Sequence, residues 1–371
     1  MLSRSHARSS AGCTSSRQQR RGALTTRCLP SSCVATHAGP LRPLPTAAST
    51  PTASSSPSSS PAPAPRGLGL RRRDVLLALL PFLGVSGAGA PAPARADEDG
   101  PTEPPLPVPV IRPELTPDQR KYDPSDPELR EAAAMLQRAL NAPNVEAEEA
   151  GWTEVIERFG GLDRPWVPDV VGRAWGNRGN ARSRQGKLQE ALSDYNTAIA
   201  ICPWSVDPVL NRGVALEALG RWEEAISDYR AVLAAAPNDP AGWNNLGNAS
   251  GGLGRWEEAV EYYGRAAQLS PTFSFAAANR AVALFEVGRT EEAIREMRSL
   301  LRRYPDFADM RAALTGALWS IGKEGEAESQ WERVDDPRYR DFAWLRFNRR
   351  WPPKLYKSLD AFLQLRSLPA L

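Results

Sequence analysis

Histidine is nearly absent from this 371-residue chain: His6 and His37 are the only two. Cysteine is almost as scarce. Cys13, Cys28 and Cys33 lie in the same opening stretch, which leaves Cys202 alone in the remainder. Beyond residue 37 there is no Ser–His or Cys–His pair for nucleophilic catalysis and no zinc site of the usual His/Cys type. A histidine pH switch and an internal disulfide are excluded as well. Cys202 stands just before Pro203 at the expected end of a helix, and reads as a small packing residue rather than a reactive thiol. Gly-rich phosphate loops, metal-ligand spacings and nucleophile motifs are also missing. The sequence therefore names no catalytic residue, no metal ligand and no cofactor, and the protein is not expected to be an enzyme.

Acid is missing from a further stretch. Residues 1–73 hold eleven Arg, no Lys, and neither Asp nor Glu, among many Ser, Thr, Ala and Pro; Asp74 is the first acid. That composition cannot build a core. Arg-rich, Ser-rich and acid-poor, residues 1–70 read as a plastid transit peptide, with a mitochondrial presequence or an arbitrary tail as rivals. Arg71-Arg72-Arg73 then precede an apolar run, 75–90, interrupted by Pro81 and ending in Ala94-Arg95-Ala96 before Asp97-Glu98-Asp99. A charged region, an apolar region and an A-x-A site make residues 71–96 an export signal cut between Ala96 and Asp97. Its paired arginines resemble the twin-arginine type. The run is 16 residues long, short of the ~20 that span a bilayer. Transit peptide and export signal in tandem imply the chloroplast thylakoid lumen. The rival reading keeps 75–90 as a membrane anchor.

Cleavage there reverses the charge. Taking the twelve Arg and one Asp of 1–96 from totals of 46 basic and 43 acidic residues leaves 34 and 42, a net charge of −8. An acidic chain argues against nucleic-acid binding, which relies on basic surface.

Residues 97–127 carry nine prolines and few apolar residues. A polyproline-like linker is expected, holding the rest of the chain away from the N-terminus. In 128–171, Leu129, Ala133, Leu136 and Leu140 fall on one helical face, and Val145, Trp152, Val155, Ile156 and Phe159 suggest a second helix closed by Gly160-Gly161. This hairpin reads as an atypical N-terminal cap, with residues 165–168 as the turn out of it.

From residue 172 one spelling recurs every 34 residues. Asn177, Asn211, Asn245 and Asn279 keep the step; so do Gly186, Gly220, Gly254 and Gly288, then Ala191, Ala225, Ala259 and Ala293, and Pro203, Pro237, Pro271 and Pro305. A constant interval of this size marks a stack of like units. Within one unit, Leu210, Val214 and Leu219 precede Gly220, a helix stop, and Trp222, Ala225, Ile226, Tyr229, Val232 and Leu233 then recur at helical spacing up to Pro237. Each unit is thus two antiparallel helices, and it must stack on neighbours to bury its apolar face. Small Gly213 and Ala225 allow close approach, and Tyr229 fills the joint.

The spelling resembles the tetratricopeptide repeat: Trp175, Gly179, Ala191, Tyr195, Ala198 and Pro203 match in order and spacing. The match covers 172–307 as four units. A degraded fifth, 308–341, keeps Gly322 and Ala327 but has Thr315 and Tyr339 where a small residue and proline belong. One departure is Arg178, Arg212 and Arg280, where the family carries an apolar residue. The resemblance implies an all-α, right-handed superhelical solenoid with atypical capping helices at both ends.

In this family the first helix of each hairpin lines a groove. Carried over, the partner-binding candidates are Arg173, Asn180 and Arg184; Leu210 and Glu217; Asn244 and Asn248; Phe275 and Phe285. The surface would run from basic through amide-rich to aromatic and would suit an extended peptide. A carboxylate clamp of the co-chaperone type is not expected, because its cationic positions fall on Gly176, Ala241 and Asn245. Gly251-Gly252, near the end of a first helix, suggest that this helix stops early, or else that a partner approaches the backbone closely there. The tail, 342–371, interleaves Arg346, Arg349 and Arg350 with Phe342, Trp344, Phe347 and Trp351 before a Leu355–Leu359–Phe362 stripe. It reads as a C-terminal cap with Arg stems laid on aromatics; the rival is contact with a partner or an anionic membrane surface.

The whole resembles the plastid tetratricopeptide proteins of plants and algae. That resemblance implies a protein-binding scaffold that assists assembly or maintenance of photosynthetic complexes. The alternatives are a membrane-anchored scaffold and a lumenal adaptor unrelated to photosystems.

Overall fold

The computed structural model describes residues 106–366. The expected transit peptide, export signal and cleavage site at Ala96 and Asp97 lie outside the described residues. Among the described residues every regular element is helical, and no helix is long and apolar enough to cross a membrane.

Six antiparallel hairpins succeed one another. Helices α1 (Pro127–Leu140) and α2 (Val145–Phe159) form the first. Then come α3 (Val167–Arg184) with α4 (Leu188–Ile201), α5 (Asp207–Ala218) with α6 (Trp222–Ala235), and α7 (Pro240–Gly252) with α8 (Trp256–Leu269). The last two are α9 (Ser274–Glu286) with α10 (Thr290–Arg303) and α11 (Ala308–Trp319) with α12 (Glu324–Trp331). Each first helix from α3 to α11 ends at a glycine in the left-handed region, φ between +72° and +85° at Gly186, Gly220, Gly254, Gly288 and Gly322. The residue after each donates its N–H back five positions, as Arg221 does to Leu216 O at 2.9 Å. This is the Schellman end that a β-carbon would strain.

Side chains sixteen residues apart lock each hairpin. A β-carbon on Gly213 would come 2.5 Å from the Tyr229 ring, and Gly179–Tyr195 and Gly247–Tyr263 repeat the contact. Where the small residue grows to Ala281, the unbranched Met297 takes the facing position, buried beside it. The unexpected arginines are paired at the same separation. Arg178 makes two hydrogen bonds to Asp194 (3.0 and 2.9 Å) and Arg212 two to Asp228 (2.9 and 2.6 Å). Arg280 pairs with Glu296 and Glu292. In the third unit Leu246 and Tyr262 hold these positions, inside one apolar cluster.

The N-terminal hairpin covers the first repeat with Trp152, Val155 and Phe159 against Val170, Val171 and Ala174. The inward face of α1 is Leu129, Ala132, Met135 and Ala139, one position off the expected Ala133–Leu136–Leu140 stripe. Close packing decides this, since a β-carbon on Gly151 of α2 would lie 3.0 Å from Ala139 Cβ.

The proline-rich segment is not a free spacer from Leu106 onward. Leu106 N–H donates to Glu224 Oε2 (2.8 Å) and Arg112 N–H to Pro203 O (2.7 Å). Leu106 and Ile111 pack on the second repeat's core while Val108 and Val110 face out. The two apolar residues among the prolines give the segment something to bury.

After α12 the chain makes a short 3-10 turn at Pro337–Arg340 and a π-helical turn at Trp344–Asn348, and ends in α13 (Pro353–Arg366). Leu355, Leu359 and Phe362 of α13 are buried with residues of α9 and α11. Gly316 of α11 makes room: a β-carbon there would sit 3.2 Å from Leu359 N. Tyr339 of the degraded unit is buried against Trp344 and Trp351.

Candidate functional site

The first helices α3, α5, α7, α9 and α11 share one face of the stack, and it is knit by side-chain amides. Asn211 donates to Asn180 Oδ1 on the preceding unit at 2.9 Å, and Asn279 to Asn244 Oδ1 at 3.2 Å. Both donors stand at the step-34 Asn position; at the other two, Asn177 and Asn245 accept from Asn180 and Asn244 of their own helices, each at 3.3 Å. Asn180 and Asn248 also accept from the joint tyrosines, Tyr195 OH at 2.9 Å and Tyr263 OH at 3.0 Å.

In the second unit the corresponding residue is Val214. Tyr229 OH instead reaches one turn on and donates to Glu217 Oε1 at 2.6 Å. Glu217 is 5% exposed, and burial pushes its carboxyl above the usual range against the pull of Arg350. Burial also holds the Tyr229 hydroxyl well above its ordinary value, so it stays a donor.

The other face of this site comes from two glycines. Helix α7 does not stop early; it runs through Gly251 to Gly252. A β-carbon on Gly252 would lie 2.5 Å from Trp222 Cε3, and one on Gly251 2.8 Å from Trp256 Cζ3. The close approach that the Gly pair permits is made by the chain's own indoles. Trp222, seated there, lies under the Arg350 guanidinium, 5.0 Å from ring centroid to Cζ.

The tail thus does more than cap the last hairpin. Arg350 donates to Glu217 Oε2 at 2.7 Å across 133 residues of chain. Arg349 grips Asp309 through two bonds (2.8 and 2.7 Å) and Asn279 Oδ1 at 3.1 Å. Lys354 gives its backbone N–H to Glu286 Oε2 (2.8 Å) and sets its ammonium over the Phe285 ring. The turn between them puts Arg350 at φ +55°, the one non-glycine among the described residues in the left-handed region.

The candidate residues divide accordingly. Arg173 pairs with Asp169 on its own helix, and Arg184 reaches Glu148 of α2; both remain partly exposed. Asn180 and Asn248 stay half-buried in the amide pattern, and Phe275 edges onto Phe307 at 5.5 Å. Asn244 is buried within the pattern. Leu210 (2% exposed) and Phe285 (0%) belong to the core and present no open surface, and Glu217 is occupied. Asn211, Asn279, Trp222 and Tyr229 were not among the expected groove residues, and Arg349 and Arg350 were expected in a cap or an outward partner or membrane contact, not against Asp309 and Glu217. Register could have flagged the asparagines; nothing periodic marks the two arginines.

Elsewhere, a shallow depression of about 590 Å³ lies beside α8, lined by Val260, Glu261, Gly264, Arg280 and Arg289. Of the three arginines that line it, Arg265, Arg280 and Arg289, the last two are paired with Glu292. Cys202 is buried, its Sγ 3.0 Å from Pro168 O, and burial pushes its thiol up to about 12.

Tetratricopeptide-repeat profiles match residues 172–205, 210–272 and 252–328. Over these residues the sequence matches the tetratricopeptide repeat, in agreement with the helical hairpins described above. No curated protein matches the chain in sequence. Among solved structures, a tetratricopeptide repeat protein from Parabacteroides merdae is 17% identical, with 64% of this chain and 98% of that one covered at a TM-score of 0.49. MamA from Desulfovibrio magneticus is 19% identical over 47% of this chain and 94% of that one, TM-score 0.41. YrrB, a repeat protein with an unusual peptide-binding site, is 19% identical over 52% and 94%, TM-score 0.39.

Proposed function

We propose that these stacked tetratricopeptide repeats hold an extended segment of a protein partner on their first-helix face, as a passive interaction scaffold. The observation that carries this reading is the amide pattern running between hairpins, Asn211 to Asn180 and Asn279 to Asn244. It fixes polar side chains before any partner arrives, so binding requires little reordering. Partly exposed Arg173 and Arg184 stand at one end of the same face. A photo-crosslinking residue in place of Arg173 should capture a partner, and one in place of exposed Arg230 on the second-helix side should not. Capture from Arg230 alone, or from neither, sinks the reading.

The place of action we propose is the thylakoid lumen. Support comes from the acid-free, Arg-rich stretch 1–73 followed by the twin-arginine-type signal ending at Ala96. The partner is then a subunit of a photosynthetic membrane complex, as the resemblance to plastid repeat proteins implies. N-terminal sequencing of the protein from isolated thylakoids should begin at Asp97. A start well upstream removes this placement.

A further inference from the structure

We infer that Glu217, Tyr229 and Trp222 form an arginine-recognition site for a protein partner, and that Arg350 of the chain's own tail fills it until a partner's arginine takes its place. The inference rests on the scaffold reading above and adds what chemistry the partner carries.

The site has the parts that a guanidinium requires. Glu217 Oε2 accepts from Arg350 Nη1 at 2.7 Å, and Glu217 O lies 3.4 Å from Nη2. Tyr229 OH holds the other carboxylate oxygen at 2.6 Å and so fixes its orientation. Trp222 supplies a flat ring at 5.0 Å, the surface on which a guanidinium stacks and an ammonium does so less well. A carboxylate this buried needs a cation, and Arg350 is the one ion-pair partner it has among the described residues. Other units do not repeat the arrangement. Asn180 and Asn248 take the joint tyrosine elsewhere, and Gly252 is what lets Trp222 lie where it does.

The occupant is held differently from the rest of the tail. Leu355, Leu359 and Phe362 are fully packed, whereas the Arg350 side chain keeps 38% of its surface in solvent. Arg350 also carries the left-handed backbone that L side chains adopt at a cost, and neighbouring Trp351 Nε1 is buried with no hydrogen-bond partner among the described residues. The guanidinium can therefore leave while α13 stays docked. A tethered occupant competes at high effective concentration. The displacing segment must then carry an arginine and also engage the open part of the same face, near Asn248 or Arg184.

The test uses the full chain and N-acetyl-arginine amide as probe, with binding read from the Trp222 indole NMR signal assigned by W222F. In Arg350→Ala the probe should bind saturably at a concentration at least ten-fold lower than in wild type. Glu217→Gln added to that variant should abolish the gain, and N-acetyl-lysine amide should bind at least ten-fold more weakly. If Arg350→Ala loses its helical circular dichroism, Arg350→Gln, which keeps a donor near Glu217, serves instead. Equal binding by wild type and variant, or binding that survives Glu217→Gln, overturns the inference. Capture from position 173 is independent of Arg350, so its failure would strike the scaffold reading and leave this site standing.

Discussion

Arg212 and Asp228 are joined by two parallel hydrogen bonds, 2.9 and 2.6 Å long, with side chains only 3% and 2% exposed. Removing one member of such a pair strands a charge away from water. Arg212→Leu should cost about 3–5 kcal/mol in urea unfolding. The third unit shows the remedy, since Leu246 and Tyr262 stand at these positions. Arg212→Leu with Asp228→Tyr should recover most of the loss. A double variant no more stable than the single one would refute the idea that the two positions vary together.

Gly252→Ala should be destabilising by roughly 1–3 kcal/mol, as overpacking generally is, because its β-carbon meets the Trp222 ring at 2.5 Å. The near-ultraviolet circular dichroism of Trp222 should change with it. Gly325 in α12 has nothing within 4 Å of its added carbon. Gly325→Ala should stabilise by about 0.4–1 kcal/mol. Equal thermal shifts for the two would mean that the indole does not need the gap.

Burial pushes the Glu149 carboxyl up, but hydrogen bonds from Arg182, Lys187 and Gln185 outweigh it and hold the group down to about 2. A carboxyl lowered by folding stabilises above its unfolded value, near 4.5, and that stability is lost as pH falls toward 2. Glu149 ties α2 to the first repeat, so acid should lower the stability of the whole array by weakening that tie. Glu149→Gln should flatten the fall in stability between pH 4.5 and 2. A slope unchanged by the substitution would contradict the assignment.

Cys202 should resist alkylation in the folded protein at pH 8, since a thiol raised to about 12 supplies almost no thiolate. Mass-spectrometric mapping should find it labelled only after denaturant is added. Rapid labelling under native conditions would mean that the α3–α4 joint opens.

Most of the stack could be read from residue spacing because each landmark is a local geometric demand: a left-handed stop at Gly220, a vacancy at Gly213, a ring at Tyr229. The partners of Arg178, Arg212 and Arg280 stand in the sequence too, as acids sixteen residues on, the same separation as Gly213 and Tyr229. The site itself was not. Glu217 and Arg350 meet across 133 residues, and no periodicity links a repeat to a tail that lies outside the register. Leu210 and Phe285 stood at groove positions, yet deeper packing claims them. The Leu106–Arg112 segment hid its docking in two apolar residues among prolines.

Linear arrays of hairpins ordinarily unravel from either extremity, one module at a time. Here the segments that flank the hairpins on both sides return to the same module: Leu106 is hooked to Glu224 on α6 and Arg350 to Glu217 on α5. The array is fastened to itself like a buckled strap, so peeling off an outer hairpin first demands undoing a clasp near the middle, and melting should come as a single all-or-none event.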